Sequence, residues 1–384
     1  MANNFNDQRM SNKNEFWVLG GLILLSTHLY VYTRIRATTG RGWISALWLV
    51  WSVIVMTLPY LTRRTNRINH AKGKKWSDRV GSAWSLYAFY VFIVIAAMDL
   101  FRRFTGIGLP RGYDLAAAFA AAAAILTFGV RQANVIQTIK ICLPTAKLPE
   151  DTESLRIVQI SDLHLGPFTG VLLLAQILRR VREANPDLVV ITGDLADGAL
   201  RGRKREMAML RRIKPRLGVF AVPGNHDYYY DIDEAVHFME SSGITVLRGQ
   251  LAETGGIIIA GADDRDHIEK AKWGLSKSET LLLSIPAEHR DKFVLLLRHR
   301  PVVETGTTGH FDLQLSGHTH GGQMLPLYSS RHIISGRSRG LKKLKDGGYL
   351  YISNGAGYVG PPVRLLAPPE IAVFDLVRKH GQTN

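Results

Sequence analysis

The sequence predicts two parts in series, an N-terminal four-helix transmembrane bundle followed by an α/β domain. Three observations predict this. Four long apolar runs fall within the first 130 residues, short β-branched runs alternate with helix-like stretches from residue 155 onward, and the chain's positive charge is concentrated among the apolar runs. Residues 1–150 carry 18 Lys and Arg against 6 Asp and Glu, a net of +12 out of +16, whereas residues 151–384 carry 30 against 26. Basic residues beside membrane-crossing segments favour anionic lipid over nucleic acid as the electrostatic partner. Membrane lipids are therefore expected partners and nucleic acid is not. The single cysteine, Cys142, rules out an intrachain disulfide and leaves the redox compartment open.

After a polar tail at 1–15, the apolar runs lie at about 16–33, 43–61, 83–101 and 114–130. Each approaches the roughly 20 residues that cross a bilayer core. The first is too long for the core of a signal peptide, no small-x-small site follows Tyr32, and Arg34 and Arg36 come next, so a retained span is expected. The fourth is rich in alanine, which is only weakly apolar, and its alternative is a soluble helix lying on the bundle. Lys and Arg set the orientation. Arg9, Lys13, the 62–82 loop and the 131–150 stretch hold 12 of them, against 6 in the two loops of the opposite side. This predicts a multi-pass protein of the bacterial inner membrane with both termini and the α/β domain in the cytoplasm. His28, Asp99 and Asp114 fall near the outer helix ends beside arginines, either as interhelical partners or as functional groups.

Residues 131–154 read as an entry strand plus connector, 155–378 as the α/β domain, and 379–384 as a tail. Strands are expected at 155–160, 188–191, 219–222, 257–260 and 293–297, with helices around 170–185 and 203–213. Most of these strands run straight into a polar cluster, and ligands collect at the carboxyl ends of strands in such sheets. The clusters are Ser161-Asp162-Leu163-His164, Gly193-Asp194 with Asp197, Gly224-Asn225-His226-Asp227, Arg298-His299-Arg300, and Ser316-Gly317-His318-Thr319-His320-Gly321-Gly322-Gln323. Singly, each could be a capped turn. Together, five clusters of oxygen and imidazole ligands without a cysteine specify a site for divalent ions of borderline hardness.

In this order the clusters resemble the calcineurin-like metallophosphoesterases, over about 155–376 and not over the apolar runs. Asn354-Gly355-Ala356-Gly357, Pro361-Pro362-Val363-Arg364 and Pro369-Glu370 are similar to the bacterial branch with membrane-associated N-termini. The resemblance implies two packed mixed β-sheets flanked by helices and a centre of two divalent metal ions. One ion would be held by Asp162, His164, Asp194 and His320, the other by Asp194, Asn225, His299 and His318. Manganese is the expected metal, with iron or zinc as alternatives. The implied chemistry is attack by a hydroxide bridging the ions, with His226 serving the leaving oxygen and Asp197, or alternatively Asp227, orienting His226.

Tyr228 and Arg364 are the candidate substrate contacts, and the run Tyr228-Tyr229-Tyr230 is expected at the rim of the site, as an aromatic lip for a bilayer interface or a nucleobase or as a half-buried cluster. Basic runs at Arg201–Arg216 and Arg331–Lys345 could meet a membrane surface or a polyanionic headgroup, or form a solvated face. The function expected is hydrolysis of a phosphodiester, phosphomonoester or pyrophosphate bond, with a lipid-linked substrate such as a phospholipid or a UDP-diacylglucosamine-type headgroup. The alternatives are a phosphodiesterase of soluble nucleotides, or a transport or signalling protein in which the fold is a regulatory module.

Overall fold

A computed structural model describes residues 2–65, 71–264, 277–289, 291–304, 306–324, 339–345 and 347–379, with side chains from Gly21 onward apart from a few helix-end stretches. It divides into two compact units, 1–128 and 129–384.

The first unit is helical. Its elements are α1 (Ala2–Thr39), α2 (Gly42–Thr65), α3 (Ala71–Thr105) and α4, which begins at Arg111 and runs on to Ala133. Among the described residues, three stretches are long and apolar enough to cross a membrane: Gly42–Pro59, Trp76–Thr105 and Gly112–Ala133. The expected first span, 16–33, lies within α1, and the side chains of its first five residues are outside the described set, as are those of Arg9, Lys13 and the basic stretch 62–75. The unit's interior is aromatic. Trp48 packs on Trp84 at 5.0 Å between ring centroids and on Phe119 at 5.6 Å, and Trp84 Nε1 donates to Ser52 Oγ at 3.1 Å. A side chain on Gly81 would collide with Pro59, so that glycine sets how closely α3 approaches α2. Val50, Trp51, Val53 and Ile54 point outward, an apolar exterior suited to lipid.

The second unit is an α/β domain of two six-stranded mixed sheets. The first has the order β1 (Gln137–Thr145), β12 (Glu370–Arg378), β2 (Ser154–Ile160), β3 (Leu188–Thr192), β4 (Val219–Val222), β5 (Thr245–Val246). The second has the order β10 (Gly340–Lys343), β11 (Tyr349–Ile352), β9 (Leu313–Ser316), β8 (Val294–Leu297), β7 (Ile257–Gly261), β6 (Gln250–Thr254). β1 is the entry strand expected within 131–154; it pairs in parallel with β12 along its whole length, so the first sheet begins before residue 155.

Alternation of side chains explains the layering. In β2, Leu155 and Ile157 turn into the core between the sheets, where they meet Leu295, Leu297, Leu313 and Leu315. Val158 and Ile160 turn to the other face, where α5 (Val171–Glu183) covers them with Leu174, Ile177 and Val181. Because β2, β3 and β4 run parallel in one sheet and β7, β8, β9 and β11 in the other, their carboxyl ends are available for one site.

Candidate metal centre

The loops leaving these strand ends are stitched together by backbone bonds. Asp162 N–H donates to the Gly193 carbonyl at 3.1 Å, His164 N–H to Asp194 O at 3.0 Å, and Gly317 N–H to His299 O at 2.9 Å. Across the sheets, Gln159 Nε2 of β2 donates to the Ser316 carbonyl of β9 at 3.0 Å and to Thr192 Oγ1 at 2.8 Å. Seven non-glycine residues among those described have positive φ, and five of them are Asp162, His164, Asp194, His318 and His320. Asp and His tolerate this left-handed region better than most residues, and strain of this kind clusters at functional sites. The neighbouring glycines are needed for close approach. A side chain on Gly224 would strike the Asp194 carboxylate, and one on Gly317 would strike Ser161 and the Asp162 carboxylate.

Three ligand groups result, each with its atoms within 4.8 Å of one another: Asp162, His164 and His320; Asp194, His299 and His318; and His164, Asp194 and His226. His164 Nε2 lies 3.0 Å from His320 Nε2 and 3.6 Å from Asp194 Oδ2. His320 Nε2 lies 3.4 Å from Asp162 Oδ1. His299 Nε2 is 3.2 Å from both Asp194 Oδ2 and Asn225 Oδ1, and His318 Nδ1 is 3.2 Å from His299 Nε2. The sequence-predicted ligands are thus brought together, with Asp194 common to two groups.

The residues present fit divalent ions. Atoms bound to one ion at about 2.0–2.2 Å stand roughly 3 Å or more from one another, the spacing seen here. Burial lowers His164 to about 4 and His318 to about 3, and takes His320 well below the usual imidazole range. These three rings are neutral, the form that binds a cation. His299 behaves oppositely: burial opposes its charge, but the carboxylates of Asp194, Asp162 and Asp264 raise it to about 10. Asp194, although buried, is held well below the carboxylate range by His299 and His164. The field that draws a proton onto His299 is one that a divalent cation would relieve. His299 Nδ1 donates to the Thr192 carbonyl at 2.9 Å, which leaves Nε2 as its inward-facing nitrogen.

His226 stands beside this group. Its ring centroid is 4.7 Å from that of His164, edge to face, and its Nδ1 is 3.1 Å from Asp197 Oδ1. Burial disfavours the His226 cation, but the Asp197 hydrogen bond and the Asp194 charge outweigh burial and raise its pKa. Asp227 does other work, accepting from the Ala196 N–H at 2.9 Å and the Gly224 N–H at 2.8 Å, and so fixes the loop geometry.

Two expected substrate contacts are redirected. Arg364 is fully buried, and its guanidinium donates to the carbonyls of His320, Asn354, Ala367, Gly355 and Gly357 and to His320 Nδ1. It braces the His320 loop from behind and is not open to a substrate. Tyr228 turns away from His226, its hydroxyl bonded to Asp263 Oδ1 and Arg248. Tyr229 and Tyr230 border the site instead: the Tyr229 ring is 5.2 Å from that of His226, and the Tyr230 hydroxyl donates to Asp197 at 3.2 Å. Sequence reasoning also missed Arg300, which joins Asp264 at 2.9 Å and His318 Nε2 at 3.3 Å. Its position directly after His299 was the available signal.

Of the first basic run, Arg203 pairs with Glu206 at 2.9 Å and Arg216 with Asp187 at 3.3 Å. Of the second, Arg331 and Arg337 lie outside the described residues, and Arg339 donates to the Leu366 carbonyl at 2.6 Å.

Comparison with known proteins agrees with this geometry. The family model for calcineurin-like phosphoesterases matches residues 155–322. An uncharacterised metallophosphoesterase of Aquifex aeolicus is 36% identical over 242 residues, covering 62% of this chain and 91% of that protein. A transmembrane protein with a metallophosphoesterase domain from Danio rerio is 33% identical over 261 residues, or 63% of this chain and 57% of its own length. An uncharacterised metallophosphoesterase of Campylobacter jejuni is 32% identical, with 64% and 65% covered. The chain therefore spans under two thirds of the last two relatives.

Proposed function

The chain belongs to the calcineurin-like metallophosphoesterases, and on that premise we propose that it is a membrane-anchored hydrolase that uses two divalent ions, manganese first among them, to cleave a phosphodiester, phosphomonoester or pyrophosphate bond in a lipid-linked substrate. The observation that carries the reading is the Asp194 carboxylate, whose Oδ2 lies 3.6 Å from His164 Nε2 and 3.2 Å from His299 Nε2, between the two groups of histidines.

Asp162, His164, Asp194 and His320 would hold one ion, and Asp194, Asn225, His299 and His318 the other. Two such ions supply Lewis acidity toward phosphoryl oxygens and make water nucleophilic near neutral pH. The chain's own residues do the rest. Asn225, at the first position of the helix α6 (Asn225–Tyr230), offers its Oδ1 inward beside His299. His226, its Nδ1 engaged by Asp197, keeps Nε2 for proton delivery to the departing oxygen, a role suited to a histidine with raised pKa. Arg300, anchored on Asp264, adds positive charge next to His318 where a phosphate would accumulate negative charge. Tyr229 and Tyr230, both more than half exposed, form an amphipathic lip for a sugar, base or interfacial headgroup.

The lipid part of the proposal rests on the apolar helices, since a tether places the domain at a bilayer where lipid-linked phosphates reside. We include α1 as a fourth span and place the protein in a bacterial inner membrane with its α/β domain in the cytoplasm, on the Lys and Arg asymmetry. A UDP-diacylglucosamine-type headgroup fits both the tether and the tyrosine lip. The test is release of phosphate or headgroup by full-length protein with Mn²⁺ on a panel of lipid-linked diesters and pyrophosphates in mixed micelles, with Asp194→Asn as blank. Turnover of one lipid class, absent in the blank, is expected. Cleavage of small soluble diesters alone would remove the lipid assignment and leave the hydrolase.

A further inference from the structure

The second unit opens inside α4, whose residues 129–133 end the stretch Gly112–Ala133 that is long and apolar enough to cross a membrane. A loop from the far end of the chain lies against this turn. Arg364 N–H donates to the Gly129 carbonyl at 3.0 Å, and a side chain on Gly129 would strike Val363 and press on Leu365. Ala133 and Ile136 are buried in the same core cluster as Val158 and Leu174, which fixes the turn to the α/β domain. At 1.5 Å per residue, Gly129 stands about 6 Å from the end of the stretch, so whatever packs on it shares the depth at which headgroups meet hydrocarbon.

The loop suits that depth. Pro361 and Pro362 have no N–H, and those of Val363, Arg364 and Leu365 donate to the carbonyls of Pro361, Gly129 and Gln323 at 2.7, 3.0 and 2.9 Å. Residues 361–365 therefore carry no unpaired backbone donor, the condition for backbone that meets an apolar medium. Leu366 follows, 64% exposed. Its φ is 64°, a conformation that bulky side chains rarely adopt, and its carbonyl is held by Arg339 Nη1 at 2.6 Å. Glycine or asparagine would sit there with less strain and less exposed apolar area. A strained, outward leucine points to a contact that offsets both costs. Val130, beside Gly129, is exposed as well, and the exposed Arg131 follows it, the order of apolar and basic residues found where helices leave a bilayer.

We infer that residues 361–366 form a membrane-docking loop: Leu366 enters the leaflet at which α4 ends, and gives the α/β domain a hold on the bilayer in addition to the helix. The occupant is lipid because the loop packs on a stretch whose own surroundings are lipid. The same loop is tied to the metal centre, since Arg364 donates to the His320 carbonyl and approaches His320 Nδ1, while the Leu365 N–H bonds the carbonyl of Gln323, three residues after His320. Docking thereby sets the depth of the centre relative to the lipid surface. The inference rests on the membrane anchor of the proposed function and not on its hydrolysis.

Spin labelling of the full-length protein in lipid nanodiscs tests it, with Cys142, the chain's one cysteine, replaced by serine and a nitroxide carried at Leu366→Cys. The label should be accessible to oxygen, which concentrates in hydrocarbon, and shielded from an aqueous nickel chelate, the order shown by a label at Val53, which is exposed on α2. A second measurement needs no label. Leu366→Asn suits the backbone conformation better than leucine does, so the loop keeps its fold, but it removes the apolar contact. Amide exchange over residues 363–367 in nanodiscs should then rise about tenfold, as one leucine gives up its burial. A label at 366 that meets the nickel chelate before oxygen, or exchange that is unchanged or slower in Leu366→Asn, overturns the inference. So does dipolar broadening between labels of two copies, which would make Leu366 a contact between chains. Failure here leaves phosphate release by the α/β domain untouched, whereas native chain recovered free of membrane would overturn the anchor and the docking together.

Discussion

His226 Nδ1 and Asp197 Oδ1 stand 3.1 Å apart, joined across the ends of β3 and β4, with the Tyr230 hydroxyl on the same carboxylate oxygen. This fixes the ring so that its other nitrogen is the one available for catalysis. His226→Ala should lose roughly 10²- to 10⁴-fold in kcat yet keep its metal, because Asp162, His164, Asp194 and His320 all remain to hold the neighbouring ion. Asp197→Asn should cost less, about 10- to 100-fold. Steady-state rates together with metal analysis of each variant check this, and loss of metal in His226→Ala would make that residue a ligand instead.

The tyrosine order shows what the sequence conveys and what it hides. The candidate ligands were legible because Asp162, Asp194, Asn225, His299 and His318 each follow a short apolar run, and parallel strands deliver such positions to one rim. Residues 225–230 form a short helix that no sequence pattern announces, and in it successive side chains diverge by about 100°. Tyr228 is thereby carried to Asp263 and Arg248, and Tyr229 and Tyr230 to His226 and Asp197. Tyr229→Ala should therefore raise KM for a headgroup substrate about 10-fold or more, as loss of an aromatic contact worth 0.5–1.5 kcal/mol plus its buried area would, whereas Tyr228→Phe should change KM little. Comparing KM for the two variants decides which tyrosine lines the site.

Arg364 was hidden for a different reason. Its burial depends on carbonyls turned inward by Gly355, Gly357 and the loop around Ala367, an arrangement no local pattern reveals. Burial pulls the guanidinium down to about 10, so it remains charged at neutral pH. Arg364→Met should destabilise the α/β domain by about 3 kcal/mol or more, since several buried carbonyls lose their donor. Arg364→Lys should not restore the loss, because an ammonium has three donors where the guanidinium has five. Denaturant unfolding of the native protein and the two variants measures this, and equal midpoints for the native protein and Arg364→Met would show that the brace carries no stability.

β1 was only partly legible, as an entry strand within a connector, because its weight lies in nine parallel pairings with β12 from the far end of the chain. A fragment beginning at residue 129 should remain soluble with the catalytic rate of the full chain on small diesters. One beginning at 150 lacks β1, exposes the β12 edge and should aggregate. Light scattering of the two fragments distinguishes them.

The close packing at Gly224 gives a further test of the centre. Gly224→Ala places a methyl group against the Asp194 carboxylate and should weaken metal binding by about 10- to 100-fold, read by competition with a chelator. Unchanged affinity would mean that Asp194 can move freely.

The most direct measurement of the central claim is the electron paramagnetic resonance spectrum and metal content of the full-length protein loaded with Mn²⁺. Two ions per chain in a spin-coupled pair, with loss of the coupling in Asp194→Asn, are expected. One ion per chain, or two ions with no coupling in the native protein, would contradict the assignment of Asp194 as the shared ligand.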